Sequence, residues 1–280
     1  MPELPEVETV RRVMRAALQG KRIKHAEIVP DDIVNCGLDS SVIQQALEGR
    51  VVTDIGRRGK FWWIELDEKP WVFGHLGMSG WIRELGEPTI RLKEHGKMPL
   101  DDENGRPRFL KMLLESEDGR RIAFTDGRRL GRLWLGADPA TDVRVLKLGP
   151  DAYEQMPSAA ELKTLFARRS APIKAVLMDQ GVISGVGNYL ADECLYQARI
   201  APKRAASDLS SKEIALLRDK LLAILDFVVG VGADYDQFPK DWMFHHRWDG
   251  KRGTDTIAGE KIIREQVGGR TTAWVPKLQK

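Results

Sequence analysis

The sequence predicts a multidomain α+β protein, with a β-rich N-terminal part, a helical part after it, and a small β-hairpin last. Three observations predict this. Short apolar or alternating segments at 51–57, 61–66, 71–76, 110–115, 121–125 and 132–135 are punctuated by Gly, Asp or Pro, as strands joined by turns are. From about residue 158 the apolar spacing becomes helical. Pro139, Pro150 and Pro157 punctuate the stretch between the two patterns.

Each element has its own signal. Residues 4–19 read as a helix, because Val7, Val10, Met14, Ala17 and Leu18 recur on one face and Gly20 supplies a stop. Val42 to Leu47 reads as a short helix between strands, and the polar stretch 84–107 as a long loop. Helices are expected at 158–169, 171–179 and 188–197, with a Gly-rich turn at 181–187. The strongest helical pattern, 210–229, opens at Ser210 or Ser211 with Glu213 close behind, a capping-box signature. Residues 259–278 read as a hairpin turning at Gly268-Gly269. The expected domains are therefore 1–140, a linker at 141–157, a helical domain at 158–258 and a hairpin at 259–280.

Composition narrows the function classes. The 280 residues are 42% hydrophobic and 30% charged, which suits a globular chain with a real core. No apolar run approaches the roughly 20 residues of a membrane span, and the N-terminus has no signal segment, so neither membrane insertion nor secretion is expected. Cys36 and Cys194 are the only cysteines, which rules out a four-cysteine zinc site; both are expected to be buried free thiols. Net charge is only +3, but residues 240–280 hold nine Lys and Arg against five Asp and Glu, leaving about −1 elsewhere. A basic C-terminal module suits phosphate contacts, although a solvated charged face looks the same.

The chain start carries the sharpest chemistry. If Met1 is removed, Pro2 presents a secondary amine beside Glu3. An α-amine has a pKa near ~8, so part of it is an unprotonated, imine-forming nucleophile at neutral pH. A helix at 4–19 would anchor it. Gly181, Gly185 and Gly187 let backbone approach a ligand closely, and Asn188 is expected to cap the next helix, where a phosphate is favoured. The alternative is a demanding turn with an ordinary cap. In the turn 125–131, Arg128 suits a helix from which a base has left, and Leu130 suits an apolar wedge. Met78, in the turn His75-Leu76-Gly77-Met78-Ser79-Gly80, reads either as a plug for the same hole or as core. Lys60 points at phosphate or solvates an edge strand. Trp62, Trp63 and Trp71 are assigned to packing. No Gly-Lys-Ser/Thr follows the glycines, so a nucleotide P-loop is not expected.

In order and separation, Met1-Pro2-Glu3-Leu4-Pro5-Glu6-Val7-Glu8-Thr9, His75 to Gly80, Asp126 to Gly131 and Gly185-Val186-Gly187-Asn188 resemble the formamidopyrimidine-DNA glycosylase / endonuclease VIII family of base-excision repair enzymes. The resemblance implies an N-terminal two-layered β-sandwich with an N-terminal helix, a helix–two-turn–helix domain and a β-hairpin finger, with duplex DNA in the cleft between domains. It implies a bifunctional DNA glycosylase and abasic-site lyase. Pro2, Glu3, Glu6 and Lys60 would be catalytic; His75, Met78, Arg128, Leu130, Lys174, Asn188 and Arg270 would bind DNA. The expected partner is damaged double-stranded DNA, abasic sites included, bound by a monomer, in the cytoplasm or nucleoid of a bacterium or the nucleus of a eukaryote. An abasic-site lyase with weak base removal, and a non-catalytic damage binder, are the alternatives.

Three departures qualify the resemblance. The finger region 262–275 contains no Cys, like the zincless finger of plant-type members, so no zinc or other cofactor is expected and Ile263, Val267, Trp274 and Val275 would hold the hairpin. Leu130 stands where typical bacterial members have Phe, and Gly127 where they have Pro. The segment 231–249 departs from the bacterial lesion-capping loop, which leaves the preferred lesion open.

Overall fold

The computed structural model describes residues 2–88, 101–248 and 255–280. The centre of the expected 84–107 loop lies outside the described residues. The chain divides into two compact units, Met1–Leu146 with Gly232–Tyr235, and Lys147–Val231 with Asp236–Lys280. No helix among the described residues is long and apolar enough to cross a membrane.

The first unit contains helices α1 (Leu4–Leu18) and α2 (Ser40–Leu47). Its strands are β1 (Ile23–Ile28), β2 (Val52–Arg58), β3 (Phe61–Leu66), β4 (Trp71–His75), β5 (Trp81–Glu84), β6 (Leu110–Ser116), β7 (Arg121–Thr125) and β8 (Arg132–Gly136). They form two four-stranded antiparallel sheets, ordered β1-β6-β7-β5 and β2-β3-β4-β8. One core cluster draws on both sheets and on α1: Val10, Met14, Ile23, Ile55, Trp62, Met112, Phe124 and Leu133 all belong to it. This is the expected β-sandwich. Gly20 does stop α1, with φ +76 just past the cap residue Gln19.

The tryptophans pack as expected. Trp62 lies opposite Gly74, where a Cβ would come within 2.1 Å of the indole, and Trp63 lies opposite Gly56, with a 2.2 Å approach. Two glycines in neighbouring strands thus make room for two large rings.

The second unit contains α3 (Ala159–Phe166), α4 (Ile173–Met178), α5 (Asn188–Gln197), α6 (Ser211–Gly230) and α7 (Met243–His246). Ser210 caps α6 through the expected box with Glu213. Two short pairs follow: β9 (Thr256–Ile257) with β10 (Glu260–Lys261), and the finger hairpin β11 (Ile263–Val267) with β12 (Arg270–Trp274). The stretch expected as linker is not slack at its C-terminal end. Gly149 N–H donates to Gln180 O at 2.8 Å, and Ser184 N–H to Pro150 O at 2.8 Å, which ties 149–152 to the turn before α5.

Two expectations about burial need correcting. Cys194 is buried but Cys36 is only half-buried; both are free. In the finger, Val267 and Val275 are buried as expected, whereas Ile263 is 39% exposed and Trp274 half-buried. The chain instead turns Ile262 and Ala273 inward, onto Tyr196, Met243, Ile257 and Val275.

Candidate functional site

In the first unit every residue from Pro2 to Val10 is buried. Helix α1 starts immediately after Glu3, which serves as its N-cap. A capping box closes this start, with Glu3 N–H donating to Glu6 Oε2 at 2.7 Å. Local helix chemistry therefore fixes the backbone next to Pro2. The other Glu6 oxygen, Oε1, accepts from Tyr235 Oη at 3.0 Å. Glu3 and Glu6 are 1% and 0% exposed and Tyr235 is 3% exposed. Tyr235 was absent from the sequence reading. It lies 229 residues from Glu6, in the segment 232–235 that belongs to the first unit although the chain on either side does not.

Lys60, 8% exposed, sits in the β2–β3 turn. Arg57 ties this turn to α1. It donates to Gly59 O at 3.1 Å and to the buried Glu8 at 3.1 Å. Burial alone would raise the Glu8 carboxyl, but Arg11, Arg57 and Arg12 bring it down to about 2. The helix that starts at Glu3 and the turn carrying Lys60 are thus joined by the buried Glu8–Arg57 ion pair.

His75 ends β4, paired with Phe61 and Arg132 on the neighbouring strands. Its Nδ1 accepts from Gly77 N–H at 3.0 Å. Burial, with Lys60 and Arg132 nearby, lowers its pKa to about 4. The neutral ring therefore keeps its proton on Nε2, ready to donate.

Two turns that the sequence reading singled out meet here. A Cβ at Gly77, whose φ is +64, would lie 2.3 Å from the Leu130 carbonyl carbon. Asp126 joins the turns: it accepts from Ser79 Oγ at 2.7 Å, Arg128 N–H at 3.1 Å and Gly131 N–H at 2.6 Å. Met78 and Leu130 are 38% and 36% exposed, so neither is core. Arg128 is exposed, whereas Arg129 is spent on a two-pronged bond to Asp31.

In the second unit Asn188 is not the helix cap. Gly187 takes that place, and Asn188 is the first residue of α5. Its Nδ2 donates to Thr271 O at 3.2 Å, because the finger hairpin offers a carbonyl where a cap would need an N–H. Lys174 also departs from expectation. It is fully buried on α4, 2.6 Å from Asp192, and donates to Thr272 Oγ1 at 2.6 Å and Thr271 O at 3.2 Å. A lysine so enclosed holds the finger rather than reaching phosphate. Asp192 in turn pairs with Arg247 at 3.2 Å. Lys174 and Asn188 therefore converge on the carbonyl directly after Arg270, which is exposed. Gly268 seats the turn, since a Cβ there would come within 2.7 Å of Ala175 Cβ.

Comparisons with known proteins agree with this fold. Residues 1–133 match the formamidopyrimidine-DNA glycosylase N-terminal domain, and residues 148–259 the formamidopyrimidine-DNA glycosylase H2TH domain. A formamidopyrimidine-DNA glycosylase of Arabidopsis thaliana is 39% identical over 280 residues, covering 100% of this chain and 71% of that protein. The one from Pelotomaculum thermopropionicum is 32% identical, covering 100% and 99%. Among solved structures, Lactococcus lactis formamidopyrimidine-DNA glycosylase bound to an oxidised-pyrimidine-containing DNA superposes with a TM-score of 0.80 at 25% identity, over 100% of both chains. The same bacterial protein bound to an abasic-site DNA gives 0.80 at 24% identity, over 99% of both. The chain belongs to the formamidopyrimidine-DNA glycosylase family.

Proposed function

We propose that this chain excises oxidised bases from duplex DNA and then cuts the strand at the resulting abasic site, in base-excision repair. The observation that carries the reading is the chain start. Pro2 is buried directly before a closed capping box, with the carboxylates of Glu3 and Glu6 buried beside it. A terminal nucleophile is useful only when held this firmly.

The residues account for the chemistry without a cofactor. After loss of Met1, the Pro2 nitrogen attacks C1′ of an extruded nucleotide. The base leaves with the electrons of its glycosidic bond and takes up a proton. Glu3 assists ring opening and proton transfer. The resulting cationic imine draws electrons from C2′, so the C2′ proton is lost and the 3′ C–O bond breaks. A second elimination breaks the 5′ C–O bond and leaves a one-nucleotide gap with phosphate ends. Glu6 stands near the sugar. Lys60, His75, Asn188 and Arg270 hold phosphates, while Met78, Arg128 and Leu130 fill the vacated space. Lys174 is assigned to the finger instead. The partner is damaged duplex DNA, bound by a monomer. The finger has no cysteine, and the scheme needs no zinc.

Mass spectrometry should find a mature chain beginning at Pro2. Borohydride should trap that chain on both a lesion duplex and an abasic duplex. Trapping on the abasic duplex alone would reduce the activity to the lyase. Equal strand cleavage after acetylation of the terminal nitrogen would overturn the mechanism.

A further inference from the structure

We propose that Phe109 is a base-stacking residue: its ring covers the face of the base left unpaired on the intact strand, and so helps set which opposite base is accepted. This inference rests on the glycosylase reading above and extends it to a residue that reading does not use.

Phe109 is 55% exposed and has φ +58. A bulky side chain in the left-handed region is rare, and such positions cluster where function holds them. Two features hold this one. Asp126 N–H donates to Phe109 O at 2.9 Å. The next residue, Leu110, pairs with Thr125, and the β6–β7 register shifts between Leu110 and Met112. A bulge of this kind re-aims the side chains beside it.

The ring is aimed at the site already described. It lies over the turn that carries Arg128 and Leu130, where a Cβ at Gly127 would sit 3.2 Å from ring atom Cδ2. Asp126, which fixes the Phe109 carbonyl, also binds Ser79 in the turn that carries Met78. Three exposed apolar side chains, Met78, Leu130 and Phe109, therefore project from segments gathered around one carboxylate. Met78 and Leu130 fill volume but have no π face. When a nucleotide leaves the duplex, its former partner exposes a flat aromatic face to water. Of the three, only Phe109 matches that face, and stacking on it is tolerant of base identity but graded by it.

The test uses the full chain and a duplex carrying a tetrahydrofuran abasic analogue opposite 2-aminopurine. Wild type should quench the 2-aminopurine fluorescence on binding. Phe109→Ala should lose most of the quench and bind roughly 10-fold more weakly, the usual loss for one base–aromatic stack. Phe109→Trp should keep both. The ratio of lesion excision opposite C and opposite A should narrow in Phe109→Ala. Thermal unfolding of each variant checks the fold, and Phe109→Trp serves as the readout if the alanine variant unfolds early. Wild-type quench and wild-type opposite-base ratios in Phe109→Ala would overturn the proposal, as would failure of wild type to bind the duplex. A Phe109-dependent quench without borohydride trapping would uphold the stacking role and remove the glycosylase reading alone.

Discussion

Asp192 is the residue whose loss should most loosen the DNA-gripping finger. Its side chain is 1% exposed and lies between Lys174, 0% exposed, and Arg247, 6% exposed. Asp192→Asn keeps the shape and removes the charge, leaving two cations facing each other in a buried site. Breaking a buried pair by removing one partner costs about 3–5 kcal/mol, against a typical domain stability of about 5–15 kcal/mol. For a unit of this size that is a fall in Tm of roughly 10–20 °C. Lys174→Met should cost less, about 1–3 kcal/mol, because Asp192 keeps Arg247 while Thr271 O and Thr272 Oγ1 lose a donor. Combining the two substitutions should cost less than their sum, since Lys174→Met removes one of the stranded cations. Urea unfolding measures the coupling, and hydrogen exchange of the β11–β12 amides localises it to the finger. An Asp192→Asn protein with unchanged Tm and unchanged exchange in the hairpin would refute the reasoning.

The other expected outcomes follow from the same geometry. Tyr235→Phe removes a hydrogen bond to the Glu6 carboxylate, in the range of about 1.5–3 kcal/mol for a charged acceptor, and should slow single-turnover trapping at an abasic site roughly 10-fold; an unchanged rate removes Tyr235 from the site. His75 has a folded pKa near 4 against an ordinary 6.5, so folding favours the neutral ring. Its contribution, on the order of 3 kcal/mol, is complete above pH 6.5 and is lost as pH falls toward 4, and urea melts at pH 7 and pH 4.5 should differ less in His75→Gln than in wild type. Val275→Ala should weaken the hairpin by about 2 kcal/mol, while a strong chelator should leave its unfolding unchanged; the reverse pattern would show a metal-held finger.

Most of the framework is legible in the sequence because strong periodicity and turn residues mark it. The helix at 4–19, the capping box at Ser210 and Glu213 and the Gly268-Gly269 turn are local signals, and local chemistry decides them. Strands β1 and β5 were not legible, and both are edges of the same sheet. In β1, Ile-Lys-His-Ala-Glu-Ile loses its alternation at a register shift between Ile23 and His25, and β5 is only four residues long. An edge strand has one paired side, so its sequence is less constrained. Asp126 was legible as a turn residue but not as the link between two turns. Tyr235 was not legible at all, since no local pattern pairs a tyrosine with a glutamate 229 residues away. Lys174 and Asn188 show one limit of sequence. It shows that a cation or an amide is present, but not that the Thr271 carbonyl accepts a hydrogen from each.

The same bookkeeping of hydrogens bears on how salt should affect DNA binding. The chain has 44 Lys and Arg, yet many are committed internally. Glu8 engages Arg11, Arg12 and Arg57; Asp31 engages Lys111 and Arg129; Asp192 engages Lys174 and Arg247. Burial would raise the Asp31 carboxyl, but Arg129 and Lys111 hold it well below the ordinary carboxylate range, so that pair does not open near neutral pH. Of the cations among the proposed contacts, Lys60 and Arg270 are assigned to phosphate and Arg128 to the vacated space. Each neutralised phosphate contributes about −0.9 to the slope of log K against log salt, so the two phosphate-facing cations give a slope of about −2. Arg270→Ala should flatten it by about one, whereas Lys174→Met should lower affinity through the finger and leave the slope in place. A flatter slope in Lys174→Met would mean that the buried lysine is released on binding and that the finger is remade on DNA.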